Sequence, residues 1–292
     1  MYLSYLLVFN QEGGVNVKNY SVRQYGMFVI ALVITAVFLF PIYWMITTSI
    51  KPIQDVFATP PMIFPETIQF DAYRKNIIED QSILLYLKNS FIIAIGTSLL
   101  TLLLALPAAY AMARFKLKGS AVFLLILLVT QMIPGIMTAM PLFILFSKLD
   151  LLNSYAALII GNTTLALPFA ILIMRPFFLS VPKGLEDAAV IDGCNRFTAF
   201  VRVVLPLTKP TLLTVGTFSF LFAWGDLIFA LTLATDEKIR PLTLGLTKFI
   251  GQYGTEWDGL MAVSTIAAAP IIILFIFLQK YIVSGITAGS EK

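Results

Sequence analysis

Glu186 and Asp187 stand side by side in the stretch LEDAAVIDGCNRFTAFVRVVLPLTKP, which runs from Leu185 to Pro210. Adjacent carboxylates can move protons, hold a cation or pair with a basic partner. The rest of the chain narrows the choice. It has no histidine and one cysteine, Cys194. That excludes a histidine base, a histidine proton relay, a multi-cysteine metal site and an intrachain disulfide. No catalytic residue, no metal ligand and no cofactor bound by this chain is expected.

The residues around the two acids read as a helix–turn–helix. Ser180 and Pro182 precede a helix start. Glu186 and Asp187 fall in its first turn, where carboxylates suit the helix dipole. Leu185, Ala188 and Ala189 share one face by i, i+3, i+4 spacing. Gly193, after Asp192, is a natural stop because it accepts the left-handed conformation. Asn195 is suited to cap a second helix. Phe197, Phe200, Val201 and Val204 then form one apolar stripe. Leu205-Pro206 and Pro210 mark the return to an apolar run. Spacing alone supports two readings: a surface hairpin that only joins helices, and a docking element for a soluble partner.

The elements that must hold this hairpin are apolar. Of 292 residues, 59% are hydrophobic and 12% charged, against about 25% charged in soluble domains. The composition predicts an all-α membrane protein. Six stretches suit the roughly 20 apolar residues of a spanning helix: 27–48, 89–112, 121–146, 155–175, 209–234 and 261–284. Prolines within them are tolerated in membrane helices, and a hinge is expected around Pro134–Pro141. Lys and Arg set the orientation, because they gather in cytoplasmic loops. With the N-terminus inside, the inner side holds 12 of the 20 basic residues and 5 acidic ones. Loop 113–120 carries three basic residues and no acid. Both termini and the loop 176–208 are therefore expected to be cytoplasmic. The domain division expected is a cytoplasmic segment 1–26, a membrane domain 27–284 containing the hairpin 182–206, and a cytoplasmic tail 285–292. The outer loop 49–88 reads as extended chain followed by a short amphipathic piece on the outer face of the bundle. The Glu12–Gly14 stretch suits a purine-rich ribosome-binding sequence, so Val17 is a candidate natural start. The positive net charge reports orientation; no nucleic acid is expected.

The hairpin resembles the EAA motif of permease subunits of ATP-binding-cassette importers. That motif reads E-A-A, three residues, G, nine residues, I-x-L-P. Here Asp187-Ala188-Ala189 is followed at the matching spacings by Gly193 and by Val203-Val204-Leu205-Pro206. Asp192-Gly193 fits the carbohydrate branch. Asp187 replaces the usual Glu, and Val203 the usual Ile. Similarity to the second permease of maltose-type importers extends over KNSFIIAIGTSLLTLLLALPAAYAMARFKLKG, QMIPGIMTAMPLFILFSKLDLLNS, FAWGDLIFAL and QKYIVSGITAGSEK. The resemblance implies a type I importer permease fold with cytoplasmic coupling helices, in a bacterial or archaeal plasma membrane. It implies that Leu185, Glu186, Asp187, Ala188, Ala189, Asp192, Gly193, Phe197, Phe200, Leu205 and Pro206 couple the chain to an ATPase. It also implies the partners: a second permease subunit, two ATPase subunits that bind ATP and Mg, and an extracytoplasmic solute-binding protein, all around a lipid-embedded chain. The chain lacks a Walker A sequence, so ATP chemistry is assigned to a separate subunit.

Polar side chains inside spans are costly and commonly functional. Gln131, Asn162, Trp224 and Asp226 are the pathway candidates, with Asn89, Thr163 and Thr164 beside them. Trp224 is expected to stack on a sugar or to gate, and Asp226 to make an interhelical or permease–permease contact. The function expected is import of a sugar or oligosaccharide. The alternatives are another solute on the same fold, such as a phosphodiester or peptide, and an ion-coupled secondary transporter. The latter class usually shows paired intramembrane charges or repeat symmetry.

Overall fold

The computed structural model describes residues 22–252 and 254–287. The expectations about residues 1–16, and those for the tail beyond 287, lie outside the described residues. The chain divides into two units, Met1–Trp44 and Met45–Lys292. The first unit contains most of helix α1 (Val22–Ser49), an apolar rod with Pro41 inside it. Phe28, Val37 and Phe38 on this helix are exposed, as suits a helix surrounded by hydrocarbon.

The second unit is a helix bundle. Its main helices are α2 (Ser82–Arg114), α3 (Ser120–Thr130), α4 (Gly135–Lys148), α5 (Tyr155–Ser180), α6 (Lys183–Ile191), α7 (Arg196–Leu207), α8 (Lys209–Trp224), α9 (Ile228–Leu233) and α10 (Trp257–Thr287). A two-residue antiparallel hairpin pairs Ile250–Gly251 with Gly254–Thr255. Among the described residues four helices are long and apolar enough to cross a membrane: Tyr25–Ser49, Ser82–Arg114, Tyr155–Ser180 and Trp257–Gln279. Two bent pairs, α3 with α4 and α7 with α8, raise the number to six if each is one span.

Two sequence expectations change here. The stretch 121–146 is not one helix: α3 and α4 meet at 100°. Pro134 brings no N–H to the ladder, and its ring disfavours helical backbone at Ile133. The hinge expected around Pro134–Pro141 falls at the first proline; Pro141 sits inside α4 without ending it. The stretch 209–234 is also interrupted. α8 stops at Trp224, and α9 begins again at Ile228.

The main packing is α2 against α5 and α8. On α2 the buried residues Thr97, Thr101, Ala105 and Ala109 recur every four residues, and on α5 Ala157, Gly161, Ala166 and Ala170 are buried. Lipid gives apolar helices no hydrophobic reason to associate, so close backbone approach through small residues becomes the main source of contact. At Gly216 of α8 a Cβ would lie 3.3 Å from Leu102 Cδ1, and Ser98 Oγ donates to the Gly216 carbonyl at 2.6 Å.

One end of the bundle carries α6 and α7. The opposite end is closed by the 49–81 and 235–256 segments. Asn89, wholly buried, donates from its amide nitrogen to the carbonyls of Lys238 (3.0 Å) and Arg240 (2.9 Å). Its oxygen accepts from Tyr155 Oη at 2.6 Å. Both donors of this amide are thus spent on holding a surface segment, and its oxygen on the start of α5. In the segment expected to be extended with one amphipathic piece, short helices form at Ile53–Val56 and Asp71–Tyr73.

Lys248 Nζ reaches Asp80 Oδ2 at 2.5 Å at this end, and Asp80 Oδ1 accepts from the Ser82 N–H at 2.9 Å. The Lys248 hydrogen bond holds the Asp80 carboxyl down to about 2. A depressed carboxyl contributes stability above its unfolded value near 3.9, and that contribution is lost as pH falls through the folded value. The pair is partly exposed, so it is worth roughly 0.2–1 kcal/mol. The protection of residues 246–251 against exchange, taken relative to the intrinsic rate at each pH, is expected to fall as pH drops from about 4 toward the folded value of about 2 in the wild type. Asp80→Asn should show that lower protection factor at neutral pH already.

Candidate functional site

The sequence of the α6–α7 hairpin explains its shape closely. α6 begins after Pro182 and ends in a Schellman arrangement: Cys194 N–H bonds the Ala189 carbonyl at 2.9 Å, and Gly193 N–H bonds that of Val190 at 3.0 Å. Gly193 has φ +91, the left-handed conformation such a stop requires. Asn195 Oδ1 accepts from Thr198 N–H at 2.8 Å and starts α7. α7 then widens to a π-helical turn over Phe200–Val204. The predicted stripe of Phe197, Phe200, Val201 and Val204 is split as a result. Phe200 and Val204 turn into the bundle, while Phe197 is 74% exposed and Val201 is exposed too. The wider turn changes the angular step per residue, so α-helical spacing does not hold across it.

One face of the hairpin belongs to the bundle, and the other is open. Ala189, Ala199 and Val204 are buried. Leu185, Asp187, Ala188, Ile191, Asp192, Gly193, Phe197 and Pro206 are exposed, with Ile191 at 85%. Leu205 is half-buried. An isolated exposed apolar residue is ordinary. Leu185, Val190, Ile191 and Phe197 exposed on one short hairpin amount to an apolar patch of the kind that marks contact surfaces.

The two acids part company. Asp187 is exposed. Glu186 is 14% exposed in its side chain and is consumed inside the chain. Its Oε1 lies 2.5 Å from both Nε and Nη2 of Arg114, and its Oε2 accepts from Tyr110 Oη at 2.6 Å. The expectation that both acids are offered to a partner is corrected: Asp187 alone is free for that. A cleft of about 280 Å³ opens beside them, and Arg114, Phe115, Lys183, Asp187 and Arg196 contribute to its lining. Among the described residues no group of His, Cys, Asp and Glu could hold a metal ion.

The four pathway candidates are not gathered into one ring. Trp224 is 3% exposed. Its ring stacks on Phe220 at 5.4 Å, meets Phe91 edge-on at 4.8 Å, and its indole N–H donates to the Ala267 carbonyl at 3.1 Å. The expectation that it stacks on a solute is corrected: it is a core residue joining α8, α2 and α10. Asp226 accepts from the N–H groups of Phe229 and Ala230, each at 3.2 Å. It thereby satisfies two orphan donors at the start of α9. Asn162 is buried, donates to Leu158 O at 3.0 Å and also reaches the Asp226 carboxylate. Gln131, at the α3–α4 break, donates to Leu165 O at 3.2 Å. Thr163 and Thr164 bond carbonyls of their own helix.

The model of the family described as "Binding-protein-dependent transport system inner membrane component" matches residues 102–288, a span that includes the hairpin. The chain belongs to that family. Two similar relatives are the diacetylchitobiose uptake system permease protein DasC of Streptomyces coelicolor and the trehalose/maltose transport system permease protein MalG of Thermococcus litoralis. The first is 36% identical over 90% of this chain and 95% of its own length. The second is 33% identical over 90% and 94%. Among solved structures, a bacterial ABC transporter that imports the acidic polysaccharide alginate contains a chain with TM-score 0.76 and 25% identity. It covers 90% of this chain and 98% of its own.

The permease is thus a multi-pass plasma-membrane component of an ABC importer. ATP hydrolysis belongs to a separate subunit, and a solute-binding protein completes the system. Sequence reading missed Tyr110 and Arg114 as parts of the site. A signal for them exists: they lie four residues apart on one helix face, at the very end of an apolar run, where an Arg is usually only a solvated flank.

Proposed function

We propose that this permease imports a sugar or oligosaccharide as one of two permease subunits in a complex with two ATPase subunits. In this reading the chain crosses the membrane six times, with the α3–α4 and α7–α8 pairs bent and both termini cytoplasmic. The α6–α7 hairpin docks on an ATPase subunit, which binds ATP and Mg. One observation carries this: the hairpin is fastened to the bundle on one face and presents Leu185, Ile191 and Phe197 with Asp187 and Asp192 on the other. Such a face suits a cleft that buries apolar side chains and offers basic groups to the two free carboxylates. The saccharide names of the relatives support the solute class.

ATP closes the ATPase dimer, the hairpins move with it, and the helices exchange inward- and outward-facing arrangements. Nucleotide shifts this equilibrium only through contacts that differ between the two states. The docked hairpin supplies those contacts. Affinity purification of the tagged chain from its native membrane should recover a second permease and an ATPase. Proteoliposomes of that complex, given its binding protein, should take up an oligosaccharide in an ATP-dependent, vanadate-sensitive manner. Uptake that persists without ATP and follows an ion gradient would overturn the reading.

A further inference from the structure

We propose that Tyr110, Arg114 and Glu186 form a latch that ties the coupling helix α6 to the end of α2, so that displacement of the hairpin is delivered to α2 directly. The proposal rests on the reading of the α6–α7 hairpin as the ATPase-docking element.

The connectivity creates the need. α6 is joined covalently to α5 through Val181-Pro182, and to α8 through α7. α2 has no such route, because its own chain leaves through residues 115–119 into α3. Yet α2 is the longest helix of the second unit and packs on both α5 and α8. A push on the hairpin can reach α2 quickly only through side chains.

Arg114 is shaped for that task. Its Nε and Nη2 both lie 2.5 Å from Glu186 Oε1, and Nη2 also donates to the Val181 carbonyl at 2.9 Å. One planar guanidinium therefore binds the end of α2, the α5–α6 joint and α6. A guanidinium holds direction as well as charge, because its donors are fixed in one plane. Tyr110, one turn back on the same face, takes the second carboxylate oxygen at 2.6 Å. Its ring is wedged against Phe200 of α7 at 4.4 Å and Phe178 of α5 at 5.8 Å. Arg114 is 6% exposed in its side chain and Glu186 14%. Both side chains are largely shielded by the bundle, so parting them would leave each charge poorly solvated and the joint resists being pulled apart. A surface pair of the same composition would slip.

The test uses the assembled complex with Cys194 replaced by Ser. Spin labels are placed at the exposed positions Leu103 on α2 and Ile276 on α10. The distance between them is measured before and after trapping with ATP and vanadate. The wild type is expected to show a shift on trapping. Glu186→Gln, Arg114→Lys and Tyr110→Phe each keep size but weaken the latch. They should trap nucleotide to the wild-type extent, with the shifted population reduced about fivefold or more in the first two. The pair Arg114→Glu with Glu186→Arg restores the ion pair and should recover part of the shift. An undiminished shift in the variants overturns the latch. So does a wild type that traps nucleotide without any shift. Loss of assembly in the mild Tyr110→Phe variant marks the cluster as a folding brace and overturns it as well. A wild-type chain that recruits no ATPase refutes the docking reading itself, a result distinct from all of these.

Discussion

Truncating Trp224 to alanine is expected to cost the bundle more than any other single change considered for its interior, and to do so by unfolding rather than by blocking a pathway. The indole is 3% exposed, lies between Phe91 and Phe220, and spans to the Ala267 carbonyl on α10. Removing a buried Trp costs about 3–5 kcal/mol through lost contacts and the cavity left behind. Ala267 stands three residues before Pro270. A proline weakens the backbone ladder of the turn before it, so a carbonyl there gains from an outside donor, and losing that donor adds to the cost. Trp224→Ala should therefore lower the yield and melting temperature of the complex, with uptake falling in proportion to the folded material. Trp224→Phe keeps the ring stack and loses the hydrogen bond, at about 1 kcal/mol. Asp226→Ala should cost a similar ~1 kcal/mol by uncapping α9. The measurement is thermal unfolding of detergent-solubilised complex beside uptake per folded complex. Wild-type stability with selective loss of uptake in Trp224→Ala would restore the pathway role.

The contrast between Trp224 and Gly193 shows what a sequence of this kind reveals. Gly193, Asn195 and Pro182 act through local backbone chemistry: a left-handed stop, a side-chain cap and a ring at the helix start. Each element they bound formed where their types and spacing place it. The apolar, helical character of the chain was legible for the same reason, because membrane solvation acts on composition. Pro134 was legible as a hinge, but its 100° bend was not, since other prolines in these helices pass without a break. Trp224 and Glu186 were misread because their roles depend on what lies opposite in space. The residues that claim them, Ala267 and Arg114, stand 43 and 72 positions away. Apolar helices carry little amphipathic pattern to say which face is inward, and intramembrane polar residues invite a functional reading before an architectural one. The π-helical turn at Phe200–Val204 belongs with these, because it altered the facing of a stripe that α-helical spacing had joined.

Gly193→Val is expected to stop transport while leaving the membrane bundle intact. Gly193 has φ +91, and a Cβ built there would meet nothing within 4 Å. The penalty is therefore carried by the backbone alone. For an ordinary residue the left-handed conformation costs about 1–2 kcal/mol, and a β-branched side chain stands at the unfavourable end. That strain acts on one exposed turn, where the Cys194 and Gly193 N–H groups close the end of α6. Relaxing it by rotating φ opens those bonds and changes the angle between α6 and α7. At 1.4 kcal/mol per factor of ten, about 2 kcal/mol of strain depopulates the native turn more than tenfold. The hairpin would then meet the ATPase in the wrong shape in most molecules. Gly193→Asn supplies the control, because asparagine visits the left-handed region readily and open space surrounds the site. Uptake per assembled complex should fall in the order Gly, Asn, Ala, Val, with melting temperatures of the bundle nearly equal across the series. Equal uptake by the Gly and Val forms would show that the angle of this turn transmits nothing. A parallel fall in melting temperature would instead place the strain inside the bundle, where the open surroundings of Gly193 give it no means to act.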